Sequence, residues 1–263
     1  MRNIKPVRMM EINKIYNECC LETMARMSDN FIDLIITSPP YNKAGYEGFI
    51  RKRHIKDNWS GGRNIEYEGD AENDFMIESE YQHQQIEVLN EMGRVLKPNG
   101  SIFYNHKIRV AKHKASHPIE WILKSNLIFR QQIVWNRKSS PAVSPIRYLP
   151  NTELIFWLTK EPCQPNFERA KKPLFKGEVW DFSAKPNKLH PAPFPQELPM
   201  NIMMCIKEKE NILVYDPYSG TGTTCESAIK FGFNFIGSEI SKEYVDISNK
   251  RIDLQKSDIF NGL

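Results

Sequence analysis

Short apolar runs that end in turn residues alternate along this chain with segments of helical periodicity. The order is clearest in the last third: a strand-like run NILVY at 211–215, a glycine-rich turn, a helical segment at 223–231, a strand-like run at 233–240 and a second helical segment at 241–252. Such alternation is typical of parallel βαβ units with helices on both faces of a sheet. The sequence therefore predicts an α/β fold with a mostly parallel sheet, in which ligands bind beyond the carboxyl ends of the strands.

Composition narrows the class of protein further. The 263 residues are 40% hydrophobic, which is enough to bury a substantial core, and their net charge of +4 is compatible with a polyanionic partner. No apolar run approaches the ~18 residues that span a bilayer, and the first residues lack the continuous apolar stretch of a signal peptide. The five cysteines contain no CxxC pair and have no metal-ligand spacing with the six histidines. We expect a cytoplasmic protein with reduced cysteines, no metal site and no membrane partner.

The glycine-rich turn lies between a strand and a helix. It reads Asp216-Pro-Tyr-Ser219-Gly220-Thr-Gly222, and Thr223 stands where a P-loop would need its lysine. Glycines let the backbone approach a ligand, and the following helix offers unpaired N–H groups. Glu239 ends the next strand 17 residues after Gly222, close to the ~20 expected of a carboxylate that binds ribose hydroxyls. This spacing favours a nucleoside-containing cofactor; at this point a purely structural βα turn is the alternative.

A second motif, Ser38-Pro39-Pro40-Tyr41, directly follows the buried-strand pattern FIDLIIT at 31–37. Two prolines fix φ and remove two N–H donors, so the carbonyl groups are left as acceptors in a rigid arrangement. Such a site can accept hydrogen bonds from an exocyclic amino group while the tyrosine ring stacks on the attached base. The alternative is a strand-terminating turn with a surface aromatic residue.

Together the two motifs resemble those of the DNA amino-methyltransferases, which methylate N4 of cytosine or N6 of adenine with S-adenosylmethionine. That family has a catalytic [D/N/S]-P-P-Y motif and a cofactor-binding D-P-[F/Y]-x-G-x-G motif. The catalytic motif comes first here, which is the permuted order of the β group. Three further stretches resemble family signatures: RVLKPNGSIFY at 94–104, HPAPFPQELP at 190–199 and GSEISKEYVDISNKRI at 237–252. The resemblance implies a Rossmann-like S-adenosylmethionine-dependent methyltransferase fold with an inserted target-recognition segment.

The resemblance also implies the chemistry of the first motif. Ser38 and the Pro39 carbonyl are expected to accept the two N–H groups of the target amine, and Tyr41 is expected to stack on a base flipped out of the duplex. Geometry and electrostatics would then supply most of the acceleration, with no nucleophilic cysteine or metal. The implied catalytic residues are Ser38, Pro39, Pro40 and Tyr41.

A second implied set binds the cofactor. Asp216 and the glycine turn are expected to hold its methionine portion, and Glu239 its ribose. Many relatives carry Gly-Asp-Cys near the N-terminus, with an acid that meets the cofactor adenine; this chain has Asn17-Glu18-Cys19, so Glu18 is a candidate, and a surface acid on a turn is the alternative. The full set is Glu18, Pro193, Phe194, Asp216, Pro217, Tyr218, Ser219, Gly220, Gly222, Thr223, Thr224 and Glu239.

The first position of the catalytic motif indicates the target atom. In the family, serine usually accompanies N4-cytosine methylation and aspartate N6-adenine methylation. Ser38 therefore favours N4 of cytosine, with N6 of adenine as the alternative. Methylation of RNA or protein by a related site is a second alternative.

Two irregular segments are candidates for contacts with double-stranded DNA. Residues 42–78 are polar and lack periodicity, which predicts a mobile loop within a catalytic part spanning 1–135. Residues 136–190 are rich in Pro and Lys and are predicted to recognise the target, and 191–263 form the cofactor-binding part of the same domain. Basic side chains in these segments would neutralise phosphates, although charge runs are often only solvated faces. The candidates are Arg51, Lys52, Arg53, Arg137, Lys138 and Arg147.

The sequence thus predicts a site-specific DNA methyltransferase of a bacterium or phage. A restriction endonuclease on a separate chain is a candidate partner, because no nuclease motif is visible. A homodimer is a candidate assembly, because relatives in the β group are often dimers.

Overall fold

The computed structural model describes residues 10–42, 76–111, 114–140, 148–161, 164–168, 174–183 and 195–260. The strands are β1 (Lys14–Tyr16), β2 (Ile32–Thr37), β3 (Leu96–His106), β4 (Arg109–Ala111), β5 (Lys114–Ser116), β6 (Ile128–Asn136), β7 (Thr152–Thr159), β8 (Val179–Asp181), β9 (Leu213–Asp216) and β10 (Asn234–Ser238). The helices are α1 (Cys20–Ala25), α2 (Glu78–Val95), α3 (Ile119–Ile122), α4 (Glu197–Met204), α5 (Thr223–Lys230) and α6 (Lys242–Phe260).

Eight of these strands form one sheet in the order β1-β10-β9-β2-β3-β7-β6-β8. The pairs from β1 through β3 are all parallel, whereas β7 runs antiparallel to both β3 and β6. Strands β4 and β5 form a separate antiparallel pair. The predicted α/β fold with a mostly parallel sheet is confirmed.

Alternating side chains of the strands fill two apolar cores, one on each face of the sheet. In β2, Ile35 packs with Leu89 and Met92 of α2, while Leu34 and Ile36 belong to the other core. That second core includes side chains of three C-terminal helices, α4, α5 and α6. The period-two alternation of a strand thus places helices on both faces, as the sequence predicts.

The sheet has its topological switch point between β2 and β9. From β2 the chain crosses through α2 to β3 on one side, and from β9 it crosses through α5 to β10 on the other. Ligands of open α/β sheets bind in the crevice outside the carboxyl ends of the strands at such a point. The catalytic and cofactor motifs of the sequence directly follow these two strands.

The segment 136–190, predicted to recognise the target, contributes two strands to the main sheet. β7 pairs with β3 and β6, and β8 pairs with β6. The division of the chain into catalytic, recognition and cofactor-binding parts remains a prediction. In the described ranges, no helix has both the length and the apolar character needed to cross a membrane.

Candidate active site

The two sequence motifs meet at the switch point. β2 and β9 pair through Leu34 with Val214 and Ile35 with Tyr215. Just beyond that pairing, the Thr37 hydroxyl donates a hydrogen bond of 2.8 Å to Asp216 Oδ1, and both side chains are buried. The structure therefore joins residues on either side of the crevice that are far apart in the sequence.

Asp216 is the buried acid of the cofactor motif. Its Oδ1 also accepts the backbone N–H of Tyr218 at 3.1 Å, whereas its Oδ2 has no hydrogen-bond partner among the described residues. Burial raises the pKa of Asp216 to about 6, against 3.8 for an ordinary aspartate. The buried Ser219 Oγ likewise has no partner among the described residues. Two oxygens on one turn are thus left for a polar ligand to satisfy.

The glycines of the turn adopt backbone conformations that other residues avoid. Gly220 has φ 50° and Gly222 has φ 82°. A Cβ on Gly222 would lie 3.0 Å from Ser248 Cβ, because α6 packs against the start of α5 at this point. Packing against α6 and left-handed backbone therefore both require glycine at 222.

Glu239 lies against this turn, as its spacing in the sequence suggests. Its Oε2 accepts the backbone N–H of Gly220 at 2.9 Å, and its Oε1 accepts that of Ser241 at 2.8 Å. Asn17 donates to the Glu239 carbonyl at 3.0 Å, which brings the end of β1 beside the end of β10. Two backbone donors thus fix the carboxylate at the rim of the crevice.

Glu18 lies next to this rim and has partners within its own segment. Its Oε1 accepts a hydrogen bond of 2.7 Å from Thr23 and forms an ion pair with Arg26. The carboxylate side chain is four-fifths buried. Its proposed contact with a cofactor adenine remains a prediction.

The other members of the predicted cofactor set belong to the same turn and helix start. Pro217 is buried and Tyr218 half-buried, while the Thr224 hydroxyl lies 3.4 Å from the Ile36 carbonyl and so faces β2. The Thr223 carbonyl accepts the Ser227 hydroxyl at 2.8 Å within α5. Pro193 and Phe194 lie outside the described residues.

The catalytic motif forms a hydrogen-bonded cluster with residues of β3 and β7. The Tyr41 hydroxyl lies 2.8 Å from Ser38 Oγ, 2.8 Å from Asn105 Nδ2 and 3.0 Å from Glu153 Oε2. Asn105 Nδ2 also lies 3.3 Å from Ser38 Oγ and 2.9 Å from Glu153 Oε2. Arg137 forms an ion pair of 2.7 Å with Glu153 Oε1. Burial raises the pKa of Tyr41 well above its ordinary value, so this hydroxyl keeps its proton.

A second contact holds the prolines of the motif. The Tyr81 hydroxyl of α2 donates to the Pro40 carbonyl at 2.7 Å and lies 2.8 Å from His106 Nε2. Burial lowers the pKa of His106 to about 3, which keeps the imidazole neutral. The Tyr41 ring packs against it with centroids 4.6 Å apart and planes tilted by 44°. The loop is therefore held from α2 and from the end of β3.

Sequence reasoning missed Tyr81, Asn105, His106 and Glu153. Asn105 ends the run SIFYN at 101–105, which predicts a strand, and His106 follows it directly, so both lie at the same edge of the sheet as the two motifs. Glu153 is a charged residue within the apolar run TELIFWLT, and a buried charge of this kind needs a partner. These two signals were available in the sequence.

The predicted DNA-contact residues are only partly described. Arg137 is drawn into the catalytic cluster by Glu153, and Lys138 is exposed at the end of β6 with φ 66°. Most of the predicted loop 42–78 lies outside the described residues, as do Arg51, Lys52, Arg53 and Arg147. In the described ranges, no group of His, Cys, Asp and Glu side chains is arranged to hold a metal ion.

Comparison with known proteins identifies the family of the chain. A sequence model of the DNA methylase family matches residues 32–250. The Type II methyltransferase M.BglII of Bacillus subtilis is 30% identical over 271 residues, which covers 90% of this chain and 68% of that protein. M.HinfI of Haemophilus influenzae is 27% identical, and the match covers 92% of this chain and 68% of that protein.

Solved structures show the same fold. The cytosine-N4-specific PvuII DNA methyltransferase matches with a TM-score of 0.69 at 21% identity, covering 98% of this chain and 96% of its own. A DNA modification methylase of Thermus thermophilus, solved with S-adenosyl-L-methionine, matches with a TM-score of 0.63 at 20% identity, covering 92% and 95%.

Fold and site together define a Rossmann-like methyltransferase that uses S-adenosylmethionine. The chain belongs to the DNA methylase family, the N6 and N4 amino-methyltransferases. Its membership of the β group remains a prediction. The turn at 216–222 fits the cofactor of this family, because Asp216 Oδ2 and Ser219 Oγ are buried acceptors that the described residues leave unsatisfied.

Proposed function

We propose that this DNA methylase methylates the N4 amino group of a cytosine flipped out of double-stranded DNA. The observation that carries the proposal is the position of Ser38, a neutral hydroxyl at the switch point, within a cluster that includes Tyr41 and Asn105. Family resemblance associates serine at this position with cytosine. The cytosine-N4-specific PvuII enzyme shares the fold and supports the same assignment.

The chemical task of the site is to activate a poor nucleophile. An exocyclic amine delocalises its nitrogen lone pair into the ring, and hydrogen-bond acceptors on its two N–H groups draw that lone pair out of conjugation. We assign these acceptors to Ser38 Oγ and the Pro39 carbonyl. Tyr81 holds the following carbonyl, that of Pro40, so the loop carries its acceptors at fixed positions.

We assign the cofactor to the turn on the other side of the crevice. When bound, S-adenosylmethionine supplies an electrophilic methyl group on a sulfonium. Asp216, Ser219 and Gly220 would hold its methionine portion, and Glu239 its ribose hydroxyls. The Thr37–Asp216 hydrogen bond links this turn to the catalytic loop.

Recognition of the DNA sequence is assigned to the segments 42–78 and 136–190. Lys138 is an exposed cation next to the catalytic cluster, suited to a phosphate. Because the relatives above are named Type II methyltransferases, we also propose that a separate restriction endonuclease shares the recognised sequence.

The test is the identity of the methylated base. The protein is incubated with S-adenosylmethionine and unmethylated double-stranded DNA, which is then digested to nucleosides for mass spectrometry. We expect N4-methylcytosine. N6-methyladenine would retain the family chemistry and refute the assignment from Ser38, and methylation of RNA or protein alone would refute DNA as substrate.

Ser38→Ala provides the matched test of the site. Removing the acceptor should lower kcat by about 100-fold, in the range found for single groups that stabilise developing charge, with S-adenosylmethionine affinity unchanged. Ser257→Ala removes an exposed hydroxyl on α6 and should leave kcat unchanged. Equal activity of the two variants would remove Ser38 from the mechanism.

A further inference from the structure

The direction of the hydrogen bonds around Tyr41 is fixed by the chemistry of its neighbours. A tyrosine hydroxyl carries a single proton. The Glu153 carboxylate, 3.0 Å away, can only accept it, whereas Asn105 Nδ2, 2.8 Å away, can only donate. The Tyr41 proton therefore points to Glu153, and the phenol oxygen is an acceptor for its remaining neighbours.

The orientation of the Tyr41 proton determines which way the hydrogen bond between Tyr41 and Ser38 runs. Ser38 Oγ lies 2.8 Å from the phenol oxygen, whose only proton already points to Glu153. The serine must therefore donate its own proton to Tyr41. With its hydrogen turned toward Tyr41, Ser38 has only lone pairs to offer to any group in the crevice.

Glu153 is itself held in the orientation that this chain of bonds requires. Arg137 occupies its Oε1 at 2.7 Å, which leaves Oε2 for Tyr41 and Asn105. The Glu153 side chain is 8% exposed and the Arg137 side chain 21% exposed, so water competes little for either group. The neighbouring strands β6 and β7 bring the two together, with Trp135 paired to Glu153 in their register.

We propose that Glu153, oriented by Arg137, is a positioning residue that turns the Ser38 hydroxyl into a hydrogen-bond acceptor for the target amine. It acts through the Tyr41 hydroxyl and does not touch the substrate. The inference rests on the proposed function, because it concerns the group that receives the amine N–H. It also gives Arg137 a role at the catalytic centre, whereas the DNA contact expected from sequence stays a prediction.

The first test replaces Glu153 by glutamine, an isosteric side chain whose amide can donate to Tyr41 and so reverse the chain. We expect Glu153→Gln to lower kcat about tenfold or more, with the Kd values for S-adenosylmethionine and DNA within about twofold of the unmodified protein. Glu161→Gln, an exposed carboxylate just beyond the other end of β7, is the matched control and should keep full kcat. Unchanged kcat in Glu153→Gln would overturn the proposal.

The second test asks whether Glu153 acts through Tyr41. Tyr41→Phe removes the hydroxyl that connects Glu153 to Ser38. In that background Glu153→Gln should change kcat by less than about twofold, because the connection is already broken. Independent, multiplicative losses would show that Glu153 has a general structural role, and the proposal would fail.

Loss of folding is addressed by a paired variant. Glu153→Gln leaves Arg137 without its carboxylate, and an unpaired buried charge is destabilising. The double variant Glu153→Leu with Arg137→Met removes both charges and leaves the Tyr41 hydroxyl without its acceptor, so it carries the same expected loss of kcat. Thermal unfolding and cofactor binding establish that each variant is folded before kinetics are compared.

The outcomes separate this inference from the proposed function. If the unmodified protein methylates no base in DNA, the proposed function fails. If it methylates DNA and Ser38→Ala is inactive while both Glu153 variants keep full kcat, the function stands and only the positioning role of Glu153 is refuted.

Discussion

Replacing Asp216 by asparagine is expected to raise the stability of the protein relative to the unmodified chain as the pH rises from acid to neutral, while it weakens cofactor binding. Asp216 is buried with one oxygen lacking a partner in the described residues, and burial raises its pKa to about 6. A carboxyl group with a raised folded-state pKa favours folding below its unfolded pKa. That contribution is lost as the pH rises through the folded-state pKa.

The size of the effect follows from the two pKa values. Moving the pKa from 3.8 to about 6 corresponds to about 3 kcal/mol of folding free energy lost between acid and neutral pH. About 2 kcal/mol of this falls between about pH 4.5 and 7.5. Asparagine does not ionise, so Asp216→Asn escapes this loss. The difference in unfolding free energy between the variant and the unmodified protein should therefore move by about 2 kcal/mol in favour of the variant over that interval.

Urea unfolding at several pH values, without cofactor, measures this difference. Asp253→Asn changes an exposed aspartate of α6 and is the matched control, whose difference from the unmodified protein should not vary with pH by more than a few tenths of a kcal/mol. Calorimetric titration with S-adenosylmethionine should show at least about tenfold weaker binding to Asp216→Asn, since one charge-assisted contact is lost. If the difference in unfolding free energy between Asp216→Asn and the unmodified protein is the same at both ends of the pH interval, ionisation of the buried Asp216 does not destabilise the fold and the reasoning is refuted. Unchanged cofactor affinity would remove it from the cofactor site.

Three further substitutions test the two ends of α5 and the contact of Tyr81 with the catalytic loop. Gly232→Ala should cost about 1 kcal/mol of unfolding free energy, because its φ of 69° is unfavourable but no atom lies within 4 Å of the added Cβ. Gly222→Ala should cost about 2–3 kcal/mol of unfolding free energy, because its Cβ would also lie 3.0 Å from Ser248 Cβ. Equal losses for the two glycine variants in urea unfolding would contradict the packing argument. Tyr81→Phe removes the donor to the Pro40 carbonyl and should lower kcat about fivefold with cofactor affinity unchanged, whereas unchanged kcat in steady-state assays would show that the loop holds its shape without this contact.

The sequence was sufficient to predict that the two motifs, which follow parallel strands, lie at the same edge of the sheet. Ser38 and Asp216 each follow an apolar strand, and parallel strands of one sheet end at the same edge, so their meeting could be inferred without coordinates. The apolar runs SIFYN at 101–105 and TELIFWLT at 152–159 also predict strands where β3 and β7 are found. What periodicity could not supply was the order of these strands in the sheet, because strand order depends on which cores the connecting helices fill.

The hydrogen-bond partners of Tyr41 could not be predicted without the order of the strands in the sheet. Asn105 and Glu153 reach the tyrosine only because β7 lies antiparallel beside β3. Arg137 looked like one cation among many in a basic segment, and only the pairing of β6 with β7 reveals its carboxylate partner. A lone Glu within an apolar strand was the sequence signal for this pair, although it did not identify the residue on the other side.

The hydrogen bond between Thr37 and Asp216 has a consequence for folding during synthesis of the chain. It joins residues 179 positions apart, so the crevice cannot close until β9 has left the ribosome and paired with β2. Contacts of such long sequence separation form late and slowly, after the loop between them has been ordered. A growing chain that already carries Ser38 and Tyr41 therefore lacks the opposite wall of the crevice, which forms only once the C-terminal third has been synthesised.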